Sequence, residues 1–114
     1  MREIKFRAWD KEKKYMIVIF DNTKQKNWFL PSLSQKYELM QYTGLKDTNG
    51  KDIYEGDILQ GIGNVRKVVF NEENCSFMLK EIKLRKELFL LTKEKSKNLE
   101  VIGNIYENEE LIGD

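Results

Sequence analysis

Along most of the chain apolar residues recur at every second position, the period of extended strands rather than of helices. From Glu3 to Trp9, Ile4, Phe6 and Ala8 alternate with Lys5, Arg7 and Trp9, which gives one apolar face and one charged face closed by Trp9. The polar run Asp10 to Lys14 reads as a turn and Tyr15 to Phe20 as a returning strand, so an N-terminal hairpin is predicted. Asp21 to Lys26 is a second polar break, read as a surface loop. Beyond it, Trp28-Phe29-Leu30-Pro31 is an apolar cluster beside the only proline. Proline keeps the preceding residue extended and donates no ladder hydrogen bond, which places this cluster at an edge or as a loop anchor.

Extended character resumes at Tyr37 to Tyr42, with Tyr37, Leu39 and Gln41 opposite Met40 and Tyr42. Asp47-Thr48-Asn49-Gly50 is a strong reversal signal, because Asn and Gly tolerate the positive φ of a tight turn. Ile53 to Ile62 follows, broken by Gly56 and Gly61, and then Arg66 to Asn71, where Val68 and Phe70 alternate with Lys67 and Val69. Glu72-Glu73-Asn74 turns the chain into Cys75 to Ile82, with Phe77 and Leu79 on one face. Leu84, Leu88 and Leu91 fall at helical spacing, yet Leu88 to Leu91 is also a continuous apolar run. The reading adopted is a short buried strand there with a helical turn after it. Leu99 to Ile105, interrupted by Gly103, makes eight short strands, and Leu111 and Ile112 are docking residues of an acidic tail. The expected fold is mainly β, a small SH3-like or partly open barrel with an N-terminal hairpin and little helix. The alternative is an α+β fold with one helix near 84–97.

Composition narrows the chemistry. A length of 114 residues suits a single domain over 1–114, and the chain has one alanine against ten isoleucines and thirteen aromatics. The absence of histidine removes the commonest general base and metal ligand together, and one cysteine, Cys75, forms no intrachain disulfide. His-dependent triads and Cys–His pairs are therefore excluded, and a reducing cytoplasm is the expected compartment. No apolar run approaches the roughly 18 residues of a membrane span, and the charged N-terminus lacks a secretory pattern.

The net charge of +1 hides blocks: +5 over residues 1–36, −3 over 37–64, +4 over 65–97 and −5 over 98–114. Either the blocks form a basic face, or basic and acidic strands neutralise one another across a sheet; the second is preferred. Sixteen of the twenty cations are lysine, so the planar arginine fork that reads bases and phosphates is scarce.

The candidate sites each have a structural reading. Asp47, Asn49 and Asp52 superficially resemble a calcium loop, but Gly50 and Ile58 fall where glycine at position 6 and a glutamate at 12 are not met, so a capped turn is preferred. Glu55 and Asp57, alternate on an extended chain, would form a carboxylate acid–base pair; the preferred reading is a Gly-Asp step in which Gly56 bends the chain and Asp57 bonds backbone amides. Trp9, Trp28, Tyr37, Tyr42, Tyr54 and Tyr106 would supply a stacking or peptide-binding surface, though core is the commoner use of aromatics in a β domain. Gly61-x-Gly63 lacks the third glycine and helix of a phosphate loop and reads as a hairpin.

The stretch LMQYTGLKDTNGKDIYEGDIL (Leu39 to Leu59), with IKFRAWD (Ile4 to Asp10) and EVIGNIYEN (Glu100 to Asn108), resembles the YopX family of bacteriophage and prophage proteins. The three blocks frame nearly the whole chain, and within them Trp9, Gly44, Gly50, Tyr54, Gly56, Asp57 and Gly103 stand as a structural signature. The segments between about Phe20 and Lys36 and between Asn71 and Glu100 are where members vary. Many relatives have proline after the IYEN stretch; this chain has Glu109, a departure that touches the tail alone. The resemblance implies a mainly-β fold with a small barrel, and a bacterial host cytoplasm. It brings no catalytic, metal or cofactor residues to carry over. The function expected is a non-catalytic binding module with a protein partner or self-assembly through a strand edge, with no cofactor and no membrane. The alternatives are a nucleic-acid-binding barrel using Lys5, Arg7, Arg66 and Lys67, and a carboxylate-dependent enzyme using Glu55 and Asp57.

Overall fold

The structure, a computed structural model, describes residues 2–23, 26–27, 37–61, 63–82 and 88–112. Its first strands are β1 (Lys5–Asp10), β2 (Tyr15–Asp21), β3 (Lys26–Asn27), β4 (Tyr37–Lys46) and β5 (Asp52–Tyr54). They form one antiparallel sheet in the order β3-β2-β1-β4-β5. Then come β6 (Asp57–Gln60), β7 (Val65–Asn71), β8 (Ser76–Glu81), β9 (Leu88–Leu90), the short helix α1 (Lys93–Ser96) and β10 (Glu100–Asn104). The second antiparallel sheet runs β10-β6-β7-β8-β9, and a 3₁₀ turn at Glu109–Leu111 follows β10.

The mainly-β expectation is met, as is the N-terminal hairpin, in which Asp10 Oδ1 accepts the N–H groups of Glu12 and Lys13, both at 2.9 Å, and so fixes the turn. The strand-then-helical-turn reading of the 88–97 stretch also holds: Thr92 Oγ1 caps α1 by accepting from Lys95 N at 3.2 Å. Among the described residues the strands do not close into a barrel. The stretch 53–62 is divided at Gly56, and its halves join different sheets. Glu55 N donates to Gln41 O of the first sheet at 3.0 Å, whereas Gly56 N donates to Val68 O of the second at 2.9 Å. Gly56 has φ 85°, and a Cβ there would lie 3.2 Å from Met40 Sδ, so both the reversal and the close approach call for glycine.

The largest apolar cluster, Ile53, Leu59, Val68, Leu79, Leu91 and Leu99, is built mostly from the second sheet, with Leu45, Phe77, Phe89 and Val101 against it. Phe70 departs from its strand's pattern: it follows Val68 on the same face but is 42% exposed, with Phe77 edge-on at 5.3 Å. The apolar cluster 28–31 lies outside the described residues, as do Ile62 and Leu84. No helix among the described residues is long and apolar enough to cross a membrane.

Candidate functional site

The charged face of β1 turns inward, which its alternation alone does not reveal. Lys5 Nζ donates to Asp52 Oδ2 at 2.7 Å and lies 3.0 Å from Glu3. Two residues on, Arg7 Nη2 donates to Asp57 Oδ1 at 2.7 Å and to the Glu55 carbonyl at 3.2 Å. Each cation also covers a ring, Lys5 at 4.8 Å from the centre of Tyr42 and Arg7 at 4.6 Å from that of Tyr54. The two tyrosines are cross-strand partners 5.6 Å apart, so cations and rings interleave in one layer. Arg7 Nε is buried there without an acceptor.

Burial sets the proton affinities of this layer. It lowers that of the Lys5 ammonium, but Asp52 and Glu3 outweigh it and hold lysine above its usual range. Tyr54 is pushed up to about 12, first by burial and then by Asp52. Burial raises the Asp57 carboxyl, against the pull of Arg7 and the Tyr54 N–H. For Asp52 burial is overcome by the hydrogen bonds from Lys46 and Lys5, which hold the carboxyl below its ordinary value.

These contacts decide several sequence readings. Glu55 and Asp57 serve different partners: Glu55 Oε1 accepts from Gln41 N at 3.1 Å, while Asp57, 2% exposed, accepts from Arg7 and from Tyr54 N at 2.8 Å. The turn at Gly56 is why they do not share the face that an extended chain would give them. Asp47 is a backbone knot, its oxygens accepting the N–H groups of Asn49, Lys51 and Val101 at 2.8–2.9 Å. Burial pushes its carboxyl up, but those three donors prevail and lower it. No group of metal-ligating side chains occurs among the described residues. Gly44 and Gly50 flank this knot in β4 and the following turn. Gly103 faces Asn108, whose Oδ1 would lie 2.5 Å from a Cβ. That Oδ1 accepts from Asn104 N at 3.1 Å and closes the turn after β10.

Lys5, Arg7, Arg66 and Lys67 are not brought together as a basic patch. Lys5 and Arg7 are held as above. Arg66 stacks on Phe89 at 4.5 Å and lies 3.8 Å from Glu81, and Lys67, next along β7, takes the opposite face. Pairing between blocks occurs in the first half of the chain, through Lys5–Asp52, Arg7–Asp57 and Lys11–Glu38. Among the described residues no ion pair joins 65–97 to 98–114.

The aromatics divide. Tyr42 and Tyr54 are buried in the ionic layer, Trp9 stacks on Tyr106 at 5.7 Å, Tyr37 is half-buried, and Trp28 lies outside the described residues. The Trp9–Tyr106 stack borders an open notch of about 540 Å³ with Glu107, Glu109 and Glu110.

The surface that the sequence did not reveal lies on the second sheet. Register aligns Val69, Met78 and Leu90 in one row across β7, β8 and β9, and Lys80 with Leu88 beside it. Leu88 and Leu90 are 44% and 49% exposed, which corrects the reading of that strand as buried: Phe89 between them packs against the core and Leu91, beyond the strand's end, is in it. Among the described residues β9 pairs with β8 alone, so its leucines have sheet on one side only. Alternation hides this, because an edge strand and an inner strand share one pattern. On the same part of the sheet Ile112 borders a cavity of about 180 Å³ with Lys67, Lys80 and Ile82.

The family model described as "YopX protein" matches residues 5–113. The structure is similar to the crystal structure of protein EF1440 from Enterococcus faecalis, with a TM-score of 0.66 and 25% identity over 96% of this chain and 98% of that one. No curated protein matches the sequence.

Proposed function

Because the chain belongs to the YopX family across nearly its whole length, we propose that it is a non-catalytic phage or prophage binding module acting in a bacterial host cytoplasm. It docks an extended segment of a protein partner on the outer face and edge of β7–β9. The observation that carries the reading is the half-exposure of Leu88 and Leu90 on a strand with one sheet neighbour among the described residues. Such an edge offers backbone donors and acceptors for one more strand, and alternate leucines offer side-chain selectivity. Lys67 and Lys80 beside them favour acidic residues in the incoming segment. The chain's own tail, Glu109-Glu110-Leu111-Ile112, has that acidic–apolar composition and already brings Ile112 to the same lysines.

The test is photo-crosslinking in the host cell from a benzoyl-phenylalanine at position 90, with position 15 on the other sheet as control. The reading expects a discrete adduct from 90 alone, whose crosslinked peptide alternates apolar residues with acids. An adduct at twice the chain mass assigns the edge to a second copy instead. No adduct, or equal adducts from both positions, overturns the docking surface.

A further inference from the structure

A cavity of about 490 Å³ opens between the N-terminal segment, β4 and α1, away from the β7–β9 face. Arg2, Lys46, Lys93 and Lys97 surround it, and Tyr42 and Leu45 line its apolar side. Two carboxylates also border it, but both are engaged. Glu3 lies 3.0 Å from Lys5 and 3.9 Å from Lys46. Asp47 accepts the three backbone N–H groups described above. Lys46 pairs with Asp52. Arg2, Lys93 and Lys97 therefore line one cavity, exposed and with no ion-pair partner among the described residues.

Lys93 and Lys97 stand four residues apart, on one face of the turn formed by α1. Thr92 and buried Ser96, whose Oγ donates to Lys93 O at 2.9 Å, fix that turn against β4. At the rim Gly44 leaves open space, with no atom within 4 Å of a Cβ position. Three cations lining one cavity repel one another until an anion sits between them, and ammonium and guanidinium groups together match phosphate oxygens. The apolar wall gives a bare phosphate nothing to touch. The volume lies within the roughly 300–1,000 Å³ of small-molecule sites.

We propose that this cavity binds a nucleotide-sized organic phosphate, its phosphates held by Arg2, Lys93 and Lys97 and its ring against Leu45. The inference is independent of the docking surface on β7–β9.

Titration of the intact protein with the fluorescent nucleotide mant-ADP, at about 0.15 M salt to screen loose surface contacts, tests it. Saturable binding is expected, displaced by ADP and less well by adenosine or pyrophosphate alone. Arg2→Glu should weaken it about tenfold, and Lys93→Glu with Lys97→Glu about a hundredfold, since each charge-assisted contact is worth about a factor of ten. Lys13→Glu, outside the cavity, should leave it unchanged. These side chains are on the surface, so unchanged circular dichroism of the variants is part of the expectation. Absence of saturation, equal loss with Lys13→Glu, or displacement by a single-stranded oligonucleotide but not by ADP would overturn the proposal. Displacement by pyrophosphate as strongly as by ADP would overturn the role of the ring.

Discussion

The layer where β1 meets β5 and β6 and the strip from β9 to the C-terminal turn both place charges beside aromatic or apolar side chains, and they use them in opposite ways. In the layer, Arg7 and Asp57 have side chains 11% and 2% exposed and form a 2.7 Å pair. In the strip, Lys93, Lys97, Glu109 and Glu110 have no ion-pair partner among the described residues, and Leu88 and Leu90 face outward. A buried pair constrains which strands come together, because either charge left alone in the interior is costly. A solvated charge constrains little, and remains available to a ligand. The layer therefore belongs to the fold, and the strip is where the two proposed sites lie.

The sharpest way to break this contrast is to unpair the layer. Asp57→Ala strands Arg7 and frees Tyr54 N, and should lower stability by about 3–5 kcal/mol in urea unfolding. Replacing both partners, Arg7→Met with Asp57→Leu, should recover much of that loss, because buried ion pairs often give way to apolar residues of similar volume. Gly56→Ala, where the chain changes sheets at φ 85°, should cost about 1–3 kcal/mol by the same assay.

Acid should loosen the layer more gently. Asp47 and Asp52 titrate below 3.8 in the fold. Their contribution is complete above that value and is lost as pH falls through their lowered values. Asp57 runs the other way, since its raised carboxyl favours the protonated folded state on acidification. Asp47→Asn removes one of the lowered carboxyls and should shift the pH dependence of the urea midpoint toward less loss on acidification. On the strip, Leu88→Lys and Leu90→Lys should each change stability by no more than about 0.5 kcal/mol, and Leu88→Lys should abolish the crosslink from position 90. A large loss of stability there would mean that the leucines are structural.

What was legible in the sequence was local. Asp10 followed by a polar run and Asp47 through Gly50 each specify a turn through neighbours in sequence and form as read, and the apolar run before Thr92 forms the strand expected of it, though not buried. That the first charge block would be neutralised by the second was read from the charge totals, but the pairs run from β1 to β5 and β6, which are not its neighbours in the sheet. The inward turn of Lys5 and Arg7 was not legible, since it depends on Asp52 and Asp57, 47 and 50 residues away. Period two distinguishes the faces of β1 without saying that both are covered. Leu88 and Leu90 were misread for the converse reason: apolar composition suggests burial, but β9 lies at a sheet edge. The split at Gly56 was visible as a break, though its consequence, the passage of the chain from one sheet to the other, lay in the hydrogen bonds of Glu55 and Gly56 to different strands.

The direct test of this division between fold and binding surface is a double-mutant cycle on Arg7 and Asp57, followed by urea unfolding at neutral pH. A coupling of at least about 2 kcal/mol, with the paired variant more stable than Asp57→Ala alone, is the result expected of an inward structural pair. Additive losses with no coupling would place Arg7 in solvent, return the charged face of β1 to the surface, and contradict the account.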